Sequence, residues 1–225
     1  MNKRDLASVE PSRRLILKWA GGAAAAIALS GGLLPNFGIS SALAADLGAG
    51  DVGILNYAYA LEQLEAAFYT MVVASPYGGM SGREHAILTD IRNHEIAHRQ
   101  FLKKALGAKA IPALSVNFSA VNFSSRKSVL TTAKTFEDLG VSAYNGAGRL
   151  LKTGAYLLAA GKIVSVEARH AATIRDLLQP GTSAFAGPDV IDHNGLDVAR
   201  PPSAVLKAAG PFIKTKVTAM HLGGA

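Results

Sequence analysis

The 225-residue chain contains no cysteine. Disulfide scaffolds, thiolate metal sites and a rubredoxin-like electron-transfer domain are therefore excluded. Charged residues are few, at 17%, and aromatic ones fewer, at 7%, while 49% of the chain is hydrophobic. A disordered protein would show the reverse balance, so a folded core of ordinary size, or two small ones, is expected. Glycine is plentiful, at 23 residues, but shows no collagen period. Long apolar runs are scarce. The one that stands out, Trp19 to Leu34, spans about 16 residues and falls short of the roughly 20 needed to cross a bilayer.

That run belongs to a three-part amino-terminal plan. Residues 1–18 are polar and basic, the apolar run follows, and Ala42-Leu43-Ala44 offers a small-x-small cleavage signal before Ala45. The segment Ser12-Arg13-Arg14-Leu15-Ile16-Leu17-Lys18 resembles a twin-arginine signal, with Arg13 and Arg14 as its pair. The resemblance implies twin-arginine export machinery, passage in the folded state and cleavage after Ala44. The product, residues 45–225, would be periplasmic or otherwise exported and would keep no membrane anchor. The formal charge of +7 includes Lys3, Arg4, Arg13, Arg14 and Lys18 against Asp5 and Glu10 in this leader. Without them 18 basic residues face 14 acidic ones, a net +4. That is too mild and too scattered to indicate nucleic acid.

The remainder reads as four helical stretches, a bundle over residues 45–180, and a Gly/Pro-rich tail over 181–225. The first stretch runs from Asp51, as its N-cap, to Ala74, before Ser75-Pro76. The second begins at Ser81, whose spacing to Glu84 makes a capping box, and stops at Gly107. The third spans Ser125 to Leu151 and the fourth Gly154 to Leu178. The tail carries one short helix, Pro202 to Ala209. Each long stretch has a seam at 3/4 spacing that is apolar at both ends and polar in the middle. The four seams are Leu55-Ala58-Glu62-Glu65-Tyr69-Val72, Leu88-Ile91-Glu95-His98-Leu102-Ala105, Leu130-Ala133-Glu137-Gly140-Tyr144-Ala147 and Ala160-Ile163-Glu167-His170-Ile174-Leu177. One misplaced acid would signal a wrong register. Four interruptions at one level signal a buried polar layer.

The chain also repeats. Glu62 is followed seven residues later by Tyr69, and Glu137 by Tyr144; downstream of each come Glu95-x-x-His98 and Glu167-x-x-His170. With seven Glu and six His in the chain, independent placement gives about 0.2 of each pattern. Duplication of a helix pair is the simplest account. Two hairpins related by a two-fold axis require the second and third helices to run parallel. A 24-residue helix is about 36 Å long, and the 18 residues from Gly107 to Ser124 reach about 60 Å at most. The all-α bundle therefore has its long crossover between helices two and three.

Carboxylates buried together are either protonated or neutralised by a cation. Two histidines on the same layer favour the cation, and Glu and His at i, i+3 share one helix face. The alternative, a buried salt-bridge layer, lacks Lys or Arg at any seam centre; Arg92, Arg99 and Arg169 fall on other faces. Hard oxygen ligands with a few imidazoles suit iron or manganese, and zinc less specifically. Four Glu and two His suffice for two metal ions: Glu95 and Glu167 bridging, Glu62 and His98 at one end, Glu137 and His170 at the other. Sequence does not decide which His accompanies which metal. Glu65 aligns with Gly140 and is an extra carboxylate, either a further ligand, a proton carrier or a protonated neighbour. Tyr69 and Tyr144 either hydrogen-bond a ligating carboxylate or simply pack. His94 lies off the seam, solvated or beside the ligands; Asp138, also off it, is exposed or pairs locally. His85, His193 and His221 lack acidic partners at ligand spacing.

One Glu from each of two helices plus Glu-x-x-His from each of the other two resembles the ferritin-like carboxylate proteins. More narrowly, Leu55-Asn56-Tyr57-Ala58, Glu62-x-x-Glu65-Ala66-Ala67-Phe68-Tyr69, Glu137-Asp138-x-Gly140-Val141-Ser142-Ala143-Tyr144 and Val166-Glu167-Ala168-Arg169-His170 resemble the exported ferritin-like group that includes the plant desiccation-related proteins. The resemblance implies a ferritin-like four-helix bundle whose di-iron or di-manganese centre reacts with dioxygen or peroxide in oxidative or desiccation stress. Ferroxidase, peroxidase and catalase-like reactions are its oxidoreductase forms. A non-catalytic metal-binding stress protein is the alternative. Iron storage ranks below both, because the Gly/Pro-rich tail differs from the assembly elements of storage cages, although an oligomer remains open.

Overall fold

A computed structural model describes residues 44–222. The signal-like segment with Arg13, Arg14 and the apolar run lies outside the described residues, of which Ala44 is the first. Four long helices follow: α1 (Gly50–Ala74), α2 (Gly82–Leu106), α3 (Arg126–Gly148) and α4 (Gly154–Leu178). A short α5 (Pro202–Ala209) comes later, and two-residue strands β1 (Ala45–Asp46) and β2 (Val217–Thr218) pair in parallel. The protein is all-α in class. No helix among the described residues is long and apolar enough to cross a membrane.

Local chemistry sets most helix ends. Ser81 and Glu84 form a reciprocal capping box at the start of α2, and Ser125 accepts from the Ser128 N–H at the start of α3. Gly107, at φ 56°, ends α2 in a conformation that disfavours a side chain. Two ends differ from expectation. The N-cap of α1 is Ala49, without a side-chain cap, and Asp51 sits in the first turn. Its carboxylate instead accepts from the Lys152 and Thr153 N–H groups at 2.8 and 2.9 Å, closing the α3–α4 connection. Helix α3 stops at Gly148, because Leu150 and Leu151 turn back to the Ala147 and Gly148 carbonyls.

Helices α1 and α2 form one hairpin and α3 and α4 another, with α1 packed against α3. Helix α1 is buried on nearly every face, because the 107–125 crossover lies along its outer side. Asn56 holds it there, donating to the Leu47 and Lys109 carbonyls and accepting from the Ile111 N–H. One heptad on, Gln63 accepts from the Leu114 N–H at 2.9 Å. The tail is docked as well. Lys214 donates to the Ser115 carbonyl at 2.7 Å and Arg200 to that of Ser142 at 3.0 Å. Arg175, 3% exposed, grips Asp138 on α3 and Asp189 in the tail. Asp138 thus pairs locally with Lys134 and also across to Arg175.

Candidate metal centre

Midway along the bundle the four seams bring Glu62 and Glu65 from α1, Glu95 and His98 from α2, Glu137 from α3, and Glu167 and His170 from α4 into one layer. Glu62, Glu95, Glu137 and Glu167 are fully shielded from solvent. The helices make this possible by placing apolar turns above and below: Leu88, Leu102, Leu130, Ile163 and Ile174 are all buried.

Two overlapping groups form. In one, ligand atoms of Glu62, Glu95, His98 and Glu167 lie within 4.8 Å of one another; in the other, those of Glu95, Glu137, Glu167 and His170 do. Glu95 and Glu167 belong to both. His98 Nδ1 is 2.9 Å from Glu167 Oε1 and 3.5 Å from Glu62 Oε2. His170 Nδ1 is 2.8 Å from Glu95 Oε1 and 3.5 Å from Glu137 Oε2.

The orphaned atoms test whether these residues fit a metal. Glu62 Oε2, Glu137 Oε2, both oxygens of Glu95 and of Glu167, and Nδ1 of His98 and of His170 are buried without a hydrogen bond of good geometry. Buried polar atoms are normally paired. These are all lone-pair donors converging on one layer, which is what bound metal would satisfy. The second oxygens of Glu137 and Glu62 are spoken for. The Tyr69 hydroxyl donates to Glu137 Oε1 and the Tyr144 hydroxyl to Glu62 Oε1. Each tyrosine reaches across to the acid of the opposite hairpin.

Glu65 lies in the layer but in neither group. Its place is made by Gly140: a Cβ there would stand 3.2 Å from Glu65 Oε1 and 3.4 Å from Glu167 Oε2.

Without a metal, the layer stores protons. Burial, reinforced by the neighbouring Glu167, Glu95 and Glu137, raises Glu65 well above the usual carboxylate range. Burial likewise pushes Glu62 to about 7 and raises Glu167 well above the usual carboxylate range. Burial alone would lower His98 and His170, but the surrounding carboxylates override it and raise them to about 12 and about 10. Glu95 goes the other way, to about 2, because His170 and His98 outweigh its burial.

A groove of about 350 Å³ between α2 and α4 opens toward the layer, lined by Asp90, His94, His98, Arg169 and His170. His85, His193 and His221 are exposed and belong neither to the groove lining nor to either donor group. His94, expected to be solvated or beside the ligands, stands on an exposed face yet meets His170 edge to edge, with the two rings 7° from parallel and His94 Nδ1 3.0 Å from His170 Nε2. Sequence reasoning missed this contact and the Arg175 clamp. The only hint of the first was the residue before each Glu-x-x-His, His94 in one repeat and Val166 in the other.

The sequence model of a family described as a ferritin-like domain matches residues 50–180. Among curated proteins, none matches the chain.

Proposed function

The chain belongs to the ferritin-like family, and from that premise we propose that it is an exported protein holding a dinuclear iron or manganese centre that reacts with dioxygen or peroxide. The observation that carries this reading is the convergence of eight orphaned donor atoms in one shielded layer. Glu95 and Glu167, which belong to both donor groups, would serve both metal positions, with Glu62 and His98 holding one and Glu137 and His170 the other. When bound, the metal pair supplies one-electron redox chemistry at a site shielded from bulk water.

The chain's own residues do the rest. Tyr69 and Tyr144 fix the terminal carboxylates by donating to their outward oxygens, so the inward oxygens face the site. Glu65, buried in the layer, holds a proton there that a reduced oxygen species could take up. An apolar cavity of about 30 Å³ abuts Tyr144 and is lined by Leu55, Ala58, Leu61, Ala143 and Ile163. Apolar cavities of this kind stay dry and admit apolar gases, which supports dioxygen as the oxidant.

Export supports an oxidative or desiccation-stress role, and the twin-arginine route suits a protein loaded with metal before it crosses the membrane. Elemental analysis of protein recovered after export from its native host is expected to show iron or manganese near two equivalents. Addition of Fe(II) or peroxide should then produce turnover. Two equivalents without turnover would assign the metals a structural role, and no metal, with stability unchanged by chelators, would overturn the reading.

A further inference from the structure

The two halves of the layer already differ at Glu65 and Gly140, and the groove face adds a second asymmetry. The repeats read His94-Glu95-x-x-His98 on α2 and Val166-Glu167-x-x-His170 on α4. Each hairpin thus places one residue, His94 or Val166, beside the other hairpin's ligating histidine. His170 presents Nδ1 inward to Glu95 and Glu137. Its other nitrogen, Nε2, lies 3.0 Å from His94 Nδ1, and the ring centroids are 5.2 Å apart. His98 also presents Nδ1 inward. Its outer side shares the groove with Val166, which has no hydrogen-bonding group.

From this asymmetry we infer that His94 is a positioning residue that makes the two metal positions inequivalent, with the Glu137–His170 position binding first and more tightly. The inference rests on the dinuclear reading above. The chemistry follows from the imidazole inventory. For His170 to offer its Nδ1 lone pair inward, its ring proton must sit on Nε2. That N–H then donates to the Nδ1 lone pair of His94, whose own proton sits on its Nε2. The hydrogen bond selects the ligating tautomer of His170, holds its ring plane and raises the basicity of the inward nitrogen. Ligating histidines characteristically donate their second N–H in this way, and loss of such a partner costs about 10–100-fold in metal affinity. A cation at Nδ1 makes the Nε2–H more acidic, so the hydrogen bond strengthens when the position fills. His98 gains nothing comparable from Val166. Glu95 and Glu167 belong to both groups, so comparing His94→Val with Val166→His isolates the contribution of the groove face.

The test is a Co(II) titration of the metal-free full chain against a competing chelator, with anomalous diffraction from crystals at one equivalent. The unmodified chain should bind in two steps separated by at least about 10-fold, with the first ion beside Glu137 and His170. His94→Val copies the residue of the other repeat; it should weaken the first step by about 10–100-fold, leave the second in place and merge the two. His94→Asn, whose Oδ1 can still accept, should restore part of the separation. Val166→His should strengthen the weaker step. Position 94 is exposed, so these changes spare the core. Two equal steps in the unmodified chain, first occupancy beside Glu62 and His98, or equal weakening of both steps by His94→Val would each overturn the inference. Absence of any Co(II) binding would instead overturn the dinuclear reading on which it rests.

Discussion

Glu62 and Glu65 sit three residues apart on one face of α1, yet only Glu62 belongs to a group of mutually close donors. Removing a donor from a buried, charge-balanced cluster should empty it, whereas removing Glu65 leaves both groups intact. Glu62→Ala and Glu137→Ala should each lose most bound metal, while Glu65→Ala should retain it and change mainly the rate of Fe(II) oxidation or peroxide loss; metal content and the two rates check this. Tyr144→Phe leaves a buried Glu62 oxygen without its donor. That should cost about 1–3 kcal/mol, read as a lowered denaturation midpoint.

Protonation gives a further residue-scale expectation. In the metal-free protein His98 and His170 are raised from 6.5 to about 12 and about 10. Their contribution to stability is complete below about pH 6.5 and is lost as pH rises through those values. Glu62, raised from 4.5 to about 7, acts in the same direction, since the folded state holds its proton more tightly than the unfolded chain does. Glu95, lowered to about 2, contributes stability above about pH 4.5 that is lost in stronger acid. The chelated protein should therefore melt at a lower temperature at pH 9 than at pH 5. Metal binding displaces these same protons, so the gap between loaded and chelated melting temperatures should widen as pH rises, measured by scanning calorimetry.

At the scale of elements, the bundle and its wrapping are joined at a few points. Arg175 on α4 ties Asp138 on α3 to Asp189 in the tail, and its guanidinium is buried while Asp189 remains 59% exposed. A mixed pair of this kind lies between exposed bridges, worth under about 1 kcal/mol, and buried ones, whose breakage costs about 3–5 kcal/mol. Arg175→Met should cost about 2 kcal/mol and expose the 183–200 segment to proteolysis, with the α1–α2 hairpin unaffected. At Gly146 the tail backbone crowds against α3. A Cβ there would meet the Arg200 carbonyl oxygen at 1.8 Å. Because that neighbour is backbone, Gly146→Ala should displace the 198–201 strap and lower stability by about 1–3 kcal/mol, seen as faster amide exchange at Arg200.

Across the whole molecule, the bundle's midline is held by charge that only protons or cations can balance. Metal that binds the folded but not the unfolded chain stabilises by mass action, about 4 kcal/mol at a thousandfold excess over the dissociation constant. Chelation should lower the melting temperature and leave helix content intact, as circular dichroism would show. For the proposed export, Arg13→Lys with Arg14→Lys should retain precursor in the cytoplasm, checked by fractionation. Unimpaired passage would indicate the general secretion route. The first described residues are part of the fold: the Ala45 N–H donates to the Lys216 carbonyl at 2.7 Å, and Ala45 is buried.

The four long helices were legible in the sequence because each carries a 3/4 seam and most ends have a local signal, as at Ser81, Ser125 and Gly107. The polar layer was legible for a related reason. Glu62, Glu95, Glu137 and Glu167 interrupt the four seams at one level, and a helix fixes which residues share a face. What lies between elements was not. Asp51 has the chemistry of a cap, and only the fold decides that it serves Lys152 and Thr153, about a hundred residues away. Asn56 and Gln63 look like polar intrusions on a helix until the crossover lies over them. The pairing of Tyr69 with Glu137 and Tyr144 with Glu62 depends on which helix stands opposite. The contact of His94 with His170 depends on the spacing of α2 and α4. Periodicity is a property of one segment's backbone and survives in a linear reading. Partnership across the bundle is set by the packing of distant segments, whose close approaches no local pattern encodes.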